Sequence, residues 1–266
     1  MAKVRRLAGQ KRVGHAGTLD PLADGVLPVL LGRATRLADF IQAGQKTYRA
    51  VITLGSATTT DDAEGDVVAS APVPALAAAS VEVALERFRG DILQVPPRYS
   101  ALKVGGKRAY AVARAGGSVD LAPRPVTIYN LALVDLASPR LVLDVTCSKG
   151  TYVRALARDL AEALGTVGHL AALTRTRVGP FRLDDALGLE AIAACGVASA
   201  LLPASRALPD APAFGADAIQ AGRLANGQPV PAPGLRAESV WVYDPQGQLV
   251  CLATADADML SPRLLL

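Results

Sequence analysis

The stretch GHAGTLDPLADGVLPVLLGRATR, residues 14–36, decides how the rest of the chain is read. Asp20 stands directly before Pro21, which lacks an N–H and turns the preceding residue away from helical geometry. Gly17 and Gly25 permit turns on either side, so the carboxylate is fixed in a tight loop between basic residues and an apolar run. Two roles fit such a group. A turn-capping aspartate accepts hydrogen bonds from nearby backbone N–H groups, whereas a carboxylate on a rigid loop serves as nucleophile or general base. The stretch by itself leaves both open.

The surroundings narrow the choice. With 266 residues, 51% of them apolar and 20% charged, the chain has the composition of a globular protein with a full core, and its length favours one large domain plus a small one. No apolar run approaches the roughly 18–20 residues needed to span a bilayer. The opening MAKVRRLAGQKR lacks the apolar stretch of a secretory signal, so the expected location is cytoplasmic. Cys147, Cys195 and Cys251 lie far apart, and the two histidines are His15 and His169. This supply argues against a disulfide framework and against a metal-centred mechanism. Charge is unevenly placed: residues 1–50 carry nine Lys/Arg against three Asp/Glu, 85–130 carry eight against three, and 140–182 carry seven against three. Residues 51–84 have five acids and no base, and 183–266 have nine acids against four bases. Three basic blocks that converge would form a polyanion-binding face; scattered, they would be solvated surface.

Periodicity supplies the elements. KTYRAVITLG (46–55) reads as a strand, and SATTTDDAEGDVV after it as a polar, acidic loop. SVEVALERFRG (80–90) reads as a helix with Ser80 as N-cap and Gly90 as its stop. QVPPRYSALKVGGKRAYAVARAGG (94–117) predicts a proline-stiffened loop, a turn at Gly105-Gly106 and a short basic helix. VTIYNLALVDL (126–136) and RLVLDVTCS (140–148) suggest an antiparallel pair. TYVRALARDLAEALG (151–165) is the clearest helix, with Val153, Leu156, Ala157, Leu160 and Leu164 on one face and Arg154 and Arg158 beside it. After residue 205 the texture turns rich in Pro, Gly and Ala, and SVWVYDPQGQLVCLATAD (239–256) predicts a hairpin turning at Asp244–Gly247. The pattern is α+β, without the alternation of a parallel βαβ sheet.

Five ordered blocks now carry a resemblance. GHAGTLDPLADGVLPVLLGRATR, KTYRAVITLG, TTDDAEGDVV (59–68), VPPRYSALKVGGKRAYAVAR (95–114) and CSKGTYVRALARDLAEALG (147–165) together resemble the TruB family of tRNA pseudouridine synthases. HLAALTRTRVGPF (169–181) follows as a weaker match. The resemblance implies a pseudouridine synthase fold, with a mixed, mainly antiparallel sheet flanked by helices over 1–205 and a small β-rich PUA-like domain over 206–266. It implies isomerisation of a T-arm uridine in tRNA by a cytoplasmic monomer that uses neither cofactor nor metal and binds no membrane.

It also implies roles for residues. Asp20 matches the catalytic carboxylate, Arg154 the arginine that pairs with it, and Tyr48 the aromatic that packs on the target base. Tyr152 matches a second active-site aromatic, Leu173 an apolar residue near the base, and His15 a histidine that helps hold the flipped arrangement. Asp62 matches an acid that contacts bases of the disrupted loop; Lys103, Lys107, Arg108 and Arg175 are expected at phosphates. Two departures accompany the match. The family carries a KPxGxTS-like segment ahead of the catalytic block that is missing before MAKVRRLAGQKR, and Thr174 stands where relatives have a second arginine. Loss of that segment would leave the catalytic loop less well braced, so the alternative is a protein that binds and remodels the T loop with impaired catalysis.

Overall fold

The computed structural model describes residues 1–100, 103–104, 107–108 and 121–266. They form two compact units, one made of Thr18–Val26 and Ala43–Ala186, the other of Met1–Gly17, Leu27–Gln42 and Leu187–Leu266. The chain opens with α1 (Ala2–Leu7), β1 (Val13–His15), β2 (Ala23–Gly25), β3 (Val29–Leu31) and α2 (Ala38–Ala43). It continues with β4 (Lys46–Leu54), β5 (Ser56–Thr58), β6 (Val67–Ser70), α3 (Ala78–Glu86), β7 (Gly90–Gln94), β8 (Lys103–Val104) and β9 (Lys107–Arg108). Next come β10 (Arg124–Ala137), β11 (Arg140–Cys147), α4 (Val153–Ala163), β12 (Gly168–Val178), β13 (Phe181–Arg182), α5 (Leu189–Cys195) and α6 (Val197–Ala200). Last are β14 (Ala213–Gly215), α7 (Ala218–Ala225), β15 (Val230–Pro231), β16 (Ala237–Tyr243), β17 (Leu249–Asp256) and β18 (Met259–Leu265).

The unit containing Asp20 is built on a seven-stranded sheet ordered β13-β12-β4-β11-β10-β7, with β2 added beside β12. Every pairing is antiparallel except β2 with β12, so the sheet is mixed and mainly antiparallel, as the sequence predicts. Alternation along the strands explains why it forms. Ala50, Ile52 and Leu54 on β4 and Leu141, Leu143, Val145 and Cys147 on β11 are buried, with their intervening neighbours more exposed. Helix α4 lays Val153, Leu156, Ala157 and Leu160 onto that core, and α3 adds Val81 and Leu85. Each large apolar side chain so buried contributes roughly 1.5–3 kcal/mol.

Three local expectations change. Helix α3 starts at Ala78 and ends at Glu86, so Ser80 is its third residue rather than its N-cap. From there its hydroxyl reaches back, accepting from Ala77 N and donating to Ala77 O, which is why a serine three positions in still marks the start. Gly90 opens β7 instead of stopping the helix. The acidic stretch after β4 is not wholly loop, because its ends pair as β5 and β6. Lys107 and Arg108 lie in a strand paired with Lys103 and Val104, so no helix starts at Lys107; the remainder of the expected basic helix lies outside the described residues.

The other unit carries a five-stranded sheet ordered β14-β16-β17-β18-β15 and the antiparallel pair β1–β3. The predicted hairpin is β16–β17, and its turn is held by Asp244, whose Oδ1 accepts from Gln246 N and Gln248 N. Helix α7 begins at a reciprocal cap between Asp217 and Gln220 and lays Leu224 on the same core as Val240 and Val242.

Candidate active site

Asp20 lies in the loop that leads into β2, and two features hold that loop against β12. Ala23–Gly25 runs parallel to Leu173–Arg175, and Val26 N donates to Arg175 O at 2.8 Å. The Arg175 side chain then brackets the loop, with Nε donating to Val26 O (2.8 Å) and Nη1 to Thr18 O (3.2 Å). At 1% exposure Arg175 is committed to protein, and its charge lies near the Tyr48 phenol. Gly25 is required here: its φ is +99°, and a Cβ would stand 2.8 Å from Arg175 N and 2.9 Å from Arg175 C.

Arg154 enters from α4, one residue past the helix N-terminus. Its side chain is 7% exposed, and four of its donor contacts are made within the unit. Nε donates to Asp20 Oδ2 (3.0 Å), Nη1 to Thr60 O (3.0 Å) and lies 3.3 Å from Asp62 Oδ2, and Nη2 donates to Tyr99 O (3.1 Å). A guanidinium so engaged has one orientation, and it presents a charge-assisted bond to a carboxylate that keeps 36% of its own side chain exposed. The reachable partner is therefore the carboxylate, and the buried partner holds it.

Asp62 is 3% exposed. Its Oδ1 accepts from Thr60 Oγ1 (2.5 Å) and Glu64 N (3.1 Å), while Oδ2 faces Arg154. The side chains of Asp62 and Arg175 are thus both engaged with protein groups. Charge in a sequence suggests surface; here buried polar partners override that.

Tyr48, on β4, and Tyr152, at the N-cap of α4, both lie within the influence of the Asp20 charge. Burial pushes the Tyr48 phenol up to about 12, and burial also raises that of Tyr152. Tyr152 is placed by Gln94, whose buried amide makes a reciprocal pair with its backbone: Tyr152 N donates to Oε1 at 2.8 Å and Nε2 donates to Tyr152 O at 3.1 Å. Leu173 is buried in the core against β4, opposite Ala50. His15 belongs to the other unit, where it sits on β1 opposite Val29. Lys103, Lys107 and Arg108 form the β8–β9 hairpin, and their side chains lie outside the described residues. The structure therefore brings together Asp20, Tyr48, Asp62, Tyr152, Arg154 and Arg175.

Thr60, Gln94 and Tyr99 join them without having been singled out. Backbone carbonyls such as those of Thr60 and Tyr99 leave no residue-type signal, and a lone glutamine in a strand reads as surface. Burial lowers the pKa of Lys46, and its ammonium donates to Gly44 O. Among the described residues, no group of three or more His, Cys, Asp or Glu side chains is placed to hold a metal ion. Among them, too, no helix is long and apolar enough to cross a membrane.

Comparison with known proteins gives the family. Residues 5–153 match the TruB family pseudouridylate synthase N-terminal domain, and residues 154–208 match the tRNA pseudouridylate synthase B C-terminal domain. The tRNA pseudouridine synthase B of Geobacillus kaustophilus is 48% identical over 238 residues, covering 85% of this chain and 84% of its own. That of Xanthomonas campestris pv. campestris is 44% identical over 267 residues, covering 98% and 87%. Among solved structures, a chain of a Cbf5-Nop10-Gar1 complex superposes with a TM-score of 0.72 at 22% identity, covering 99% of this chain and 78% of that one. A chain of an H/ACA RNP bound to a substrate RNA containing 2'-deoxyuridine gives 0.71 at 19% identity, covering 99% and 79%. The fold is that of the pseudouridine synthases, which are isomerases. Within that class the chain belongs to the TruB family.

Proposed function

We propose that this chain isomerises uridine to pseudouridine in the T loop of tRNA, with Asp20 as the essential carboxylate and the target base turned out of its stack. The coarser activity, isomerisation of uridine in tRNA, accords with relatives named tRNA pseudouridine synthase B. One observation carries the finer reading: the Asp20 side chain keeps 36% exposure, yet its carboxylate is oriented by a buried guanidinium at 3.0 Å. In the reaction the bond from N1 of the base to the ribose breaks and a bond from C5 to the same carbon forms. The C5 proton leaves and N1 regains one, so atoms and charge balance without redox change. Because C5 and N1 are hidden in a folded loop, the base must leave the stack. Tyr48 and Tyr152 supply aromatic surface for it, worth roughly 1–3 kcal/mol per stacked base. Asp20 meets the reacting base or sugar, while Arg154 keeps its carboxylate aimed.

On this reading the chain acts as a monomer on the T arm, and residues 206–266 are a PUA-like module. The deciding assay is release of tritium from T-loop uridine labelled at C5. The chain should release it and the Asp20→Asn variant should not. Binding of the tRNA without release by the unaltered chain would favour a remodelling protein, and release that persists in Asp20→Asn would remove Asp20 from the mechanism.

A further inference from the structure

Arg158 stands one helical turn beyond Arg154 on α4, beside the apolar face, where the sequence leaves it exposed or lining a cleft. The structure gives it three partners. Nη1 donates to Asp61 Oδ2 (2.9 Å), Nε to Asp159 Oδ1 (2.8 Å) and Nη2 to Val95 O (2.9 Å). Two of these partners belong to the loops that hold Arg154. Asp61 sits between Thr60 and Asp62, whose carbonyl and carboxylate face the Arg154 guanidinium, and Val95 opens the run that ends at Tyr99, whose carbonyl accepts from it. Each loop is thus tied twice to the same helix, once by Arg154 and once by Arg158.

The Thr60–Asp62 loop needs the second tie. Asp61 has φ +59°, a left-handed conformation that costs an L-residue roughly 1–2 kcal/mol. It persists where surrounding contacts over-determine it, and here the Asp61 side chain is held by Arg158 while its carbonyl accepts from Leu170 N at 3.0 Å. A role for Arg158 as a phosphate contact fits less well. All three of its side-chain nitrogens are engaged, and the carboxylates of Asp61 and Asp159 more than offset its charge.

We propose that Arg158 is a positioning residue for the isomerisation: it fixes the Thr60–Asp62 and Val95–Tyr99 loops, and through them the guanidinium of Arg154 that aims Asp20. The inference rests on the reading of Asp20 and Arg154 as the reactive pair. A misplacement of about 1 Å at a reacting group costs on the order of 100-fold in rate, and a helix-borne clamp two contacts removed should cost less.

The test uses the full chain, a tRNA transcript tritiated at C5 of its T-loop uridine, single-turnover release with enzyme in excess, and filter binding for Kd. Arg158→Ala should slow release by roughly 10- to 100-fold while Kd stays within about threefold, because orientation and not RNA contact is lost. Arg158→Lys keeps the charge but cannot reach three acceptors, so it should recover only part of the rate. Asp61→Asn should reproduce part of the loss, and the double variant should be no slower than Arg158→Ala, since both act through one contact. An unchanged rate overturns the proposal. So does a loss confined to Kd, or a double variant whose losses multiply. Should Arg158→Ala fail to fold, Arg158→Lys and Asp61→Asn carry the same comparison, and normal release by both overturns it. Asp20→Asn run alongside separates the two readings: release by that variant refutes the carboxylate's role, whereas an inert Asp20→Asn beside a fully active Arg158→Ala refutes only the clamp.

Discussion

Replacing Gly25 by alanine tests whether the β2–β12 contact positions the Asp20 loop. The added Cβ would lie 2.8 Å from Arg175 N and 2.9 Å from Arg175 C, closer still to the carbonyl oxygen, against an ordinary carbon contact of about 3.5–4.0 Å. All of these atoms are backbone, so no rotamer change relieves the overlap, and the strands must part by about 1 Å. The +99° φ adds about 1–2 kcal/mol of strain. Losing the 2.8 Å bond from Val26 N to the buried Arg175 carbonyl adds about 1–3 kcal/mol. Together the cost is about 2–5 kcal/mol. The same movement carries Asp20 away from Arg154 Nε, so turnover should fall on the order of 100-fold. Gly165→Ala is the control, because its φ is +79° but a Cβ there meets nothing within 4 Å. It should lose about 1–2 kcal/mol by urea unfolding and no turnover. If Gly25→Ala is no less stable than Gly165→Ala and releases tritium at the unaltered rate, the contact does not position the loop.

Other consequences follow from buried polar groups. Arg175→Met removes the donors to Thr18 O and Val26 O, leaving two loop carbonyls unpaired; urea unfolding should show a loss of about 2–5 kcal/mol, and a variant of unaltered stability would refute the bracket. Alkaline pH should destabilise the protein. Burial raises Cys147 and Cys251 from 9.0 to about 11 and Tyr48 from 10.0 to about 12, so the native state keeps protons that the unfolded chain releases. Their stabilisation is complete below about pH 9 and is lost as pH climbs toward 12. The urea midpoint should therefore drop between pH 8 and pH 10.5, less steeply in a Cys147→Ala, Cys251→Ala variant; a midpoint that rises over that range would contradict the sign.

Much of the scaffold was readable because its signals are local. The apolar stripe of α4, the alternation of β4 and β11, and the Asp244 turn each depend on residues a few positions apart. The Asp20 loop was readable for the same reason, through Pro21 and its flanking glycines. Strand order was not: nothing within β12 says that it lies between β4 and the short parallel β2. Nor could sequence tell that Asp62 and Arg175 are buried, because a charge goes inside only where distant partners neutralise or bind it. Of the acceptors of Arg158, Asp159 adjoins it in sequence, whereas Asp61 and Val95 come from far along the chain.

The span of those contacts bears on how the protein folds. Arg154 and Asp20 are 134 residues apart, and Arg175 and Thr18 are 157 apart. Contacts of such separation bear the entropy of closing long loops before they return any stabilisation. The sheet must therefore be nearly complete before a guanidinium finds its acceptors. During refolding, catalytic competence should emerge after secondary structure and core burial, and no contiguous fragment shorter than Thr18–Arg175 can display the assembled centre. Activity is consequently a stricter gauge of native topology in this chain than any spectroscopic measure of its helix or strand content.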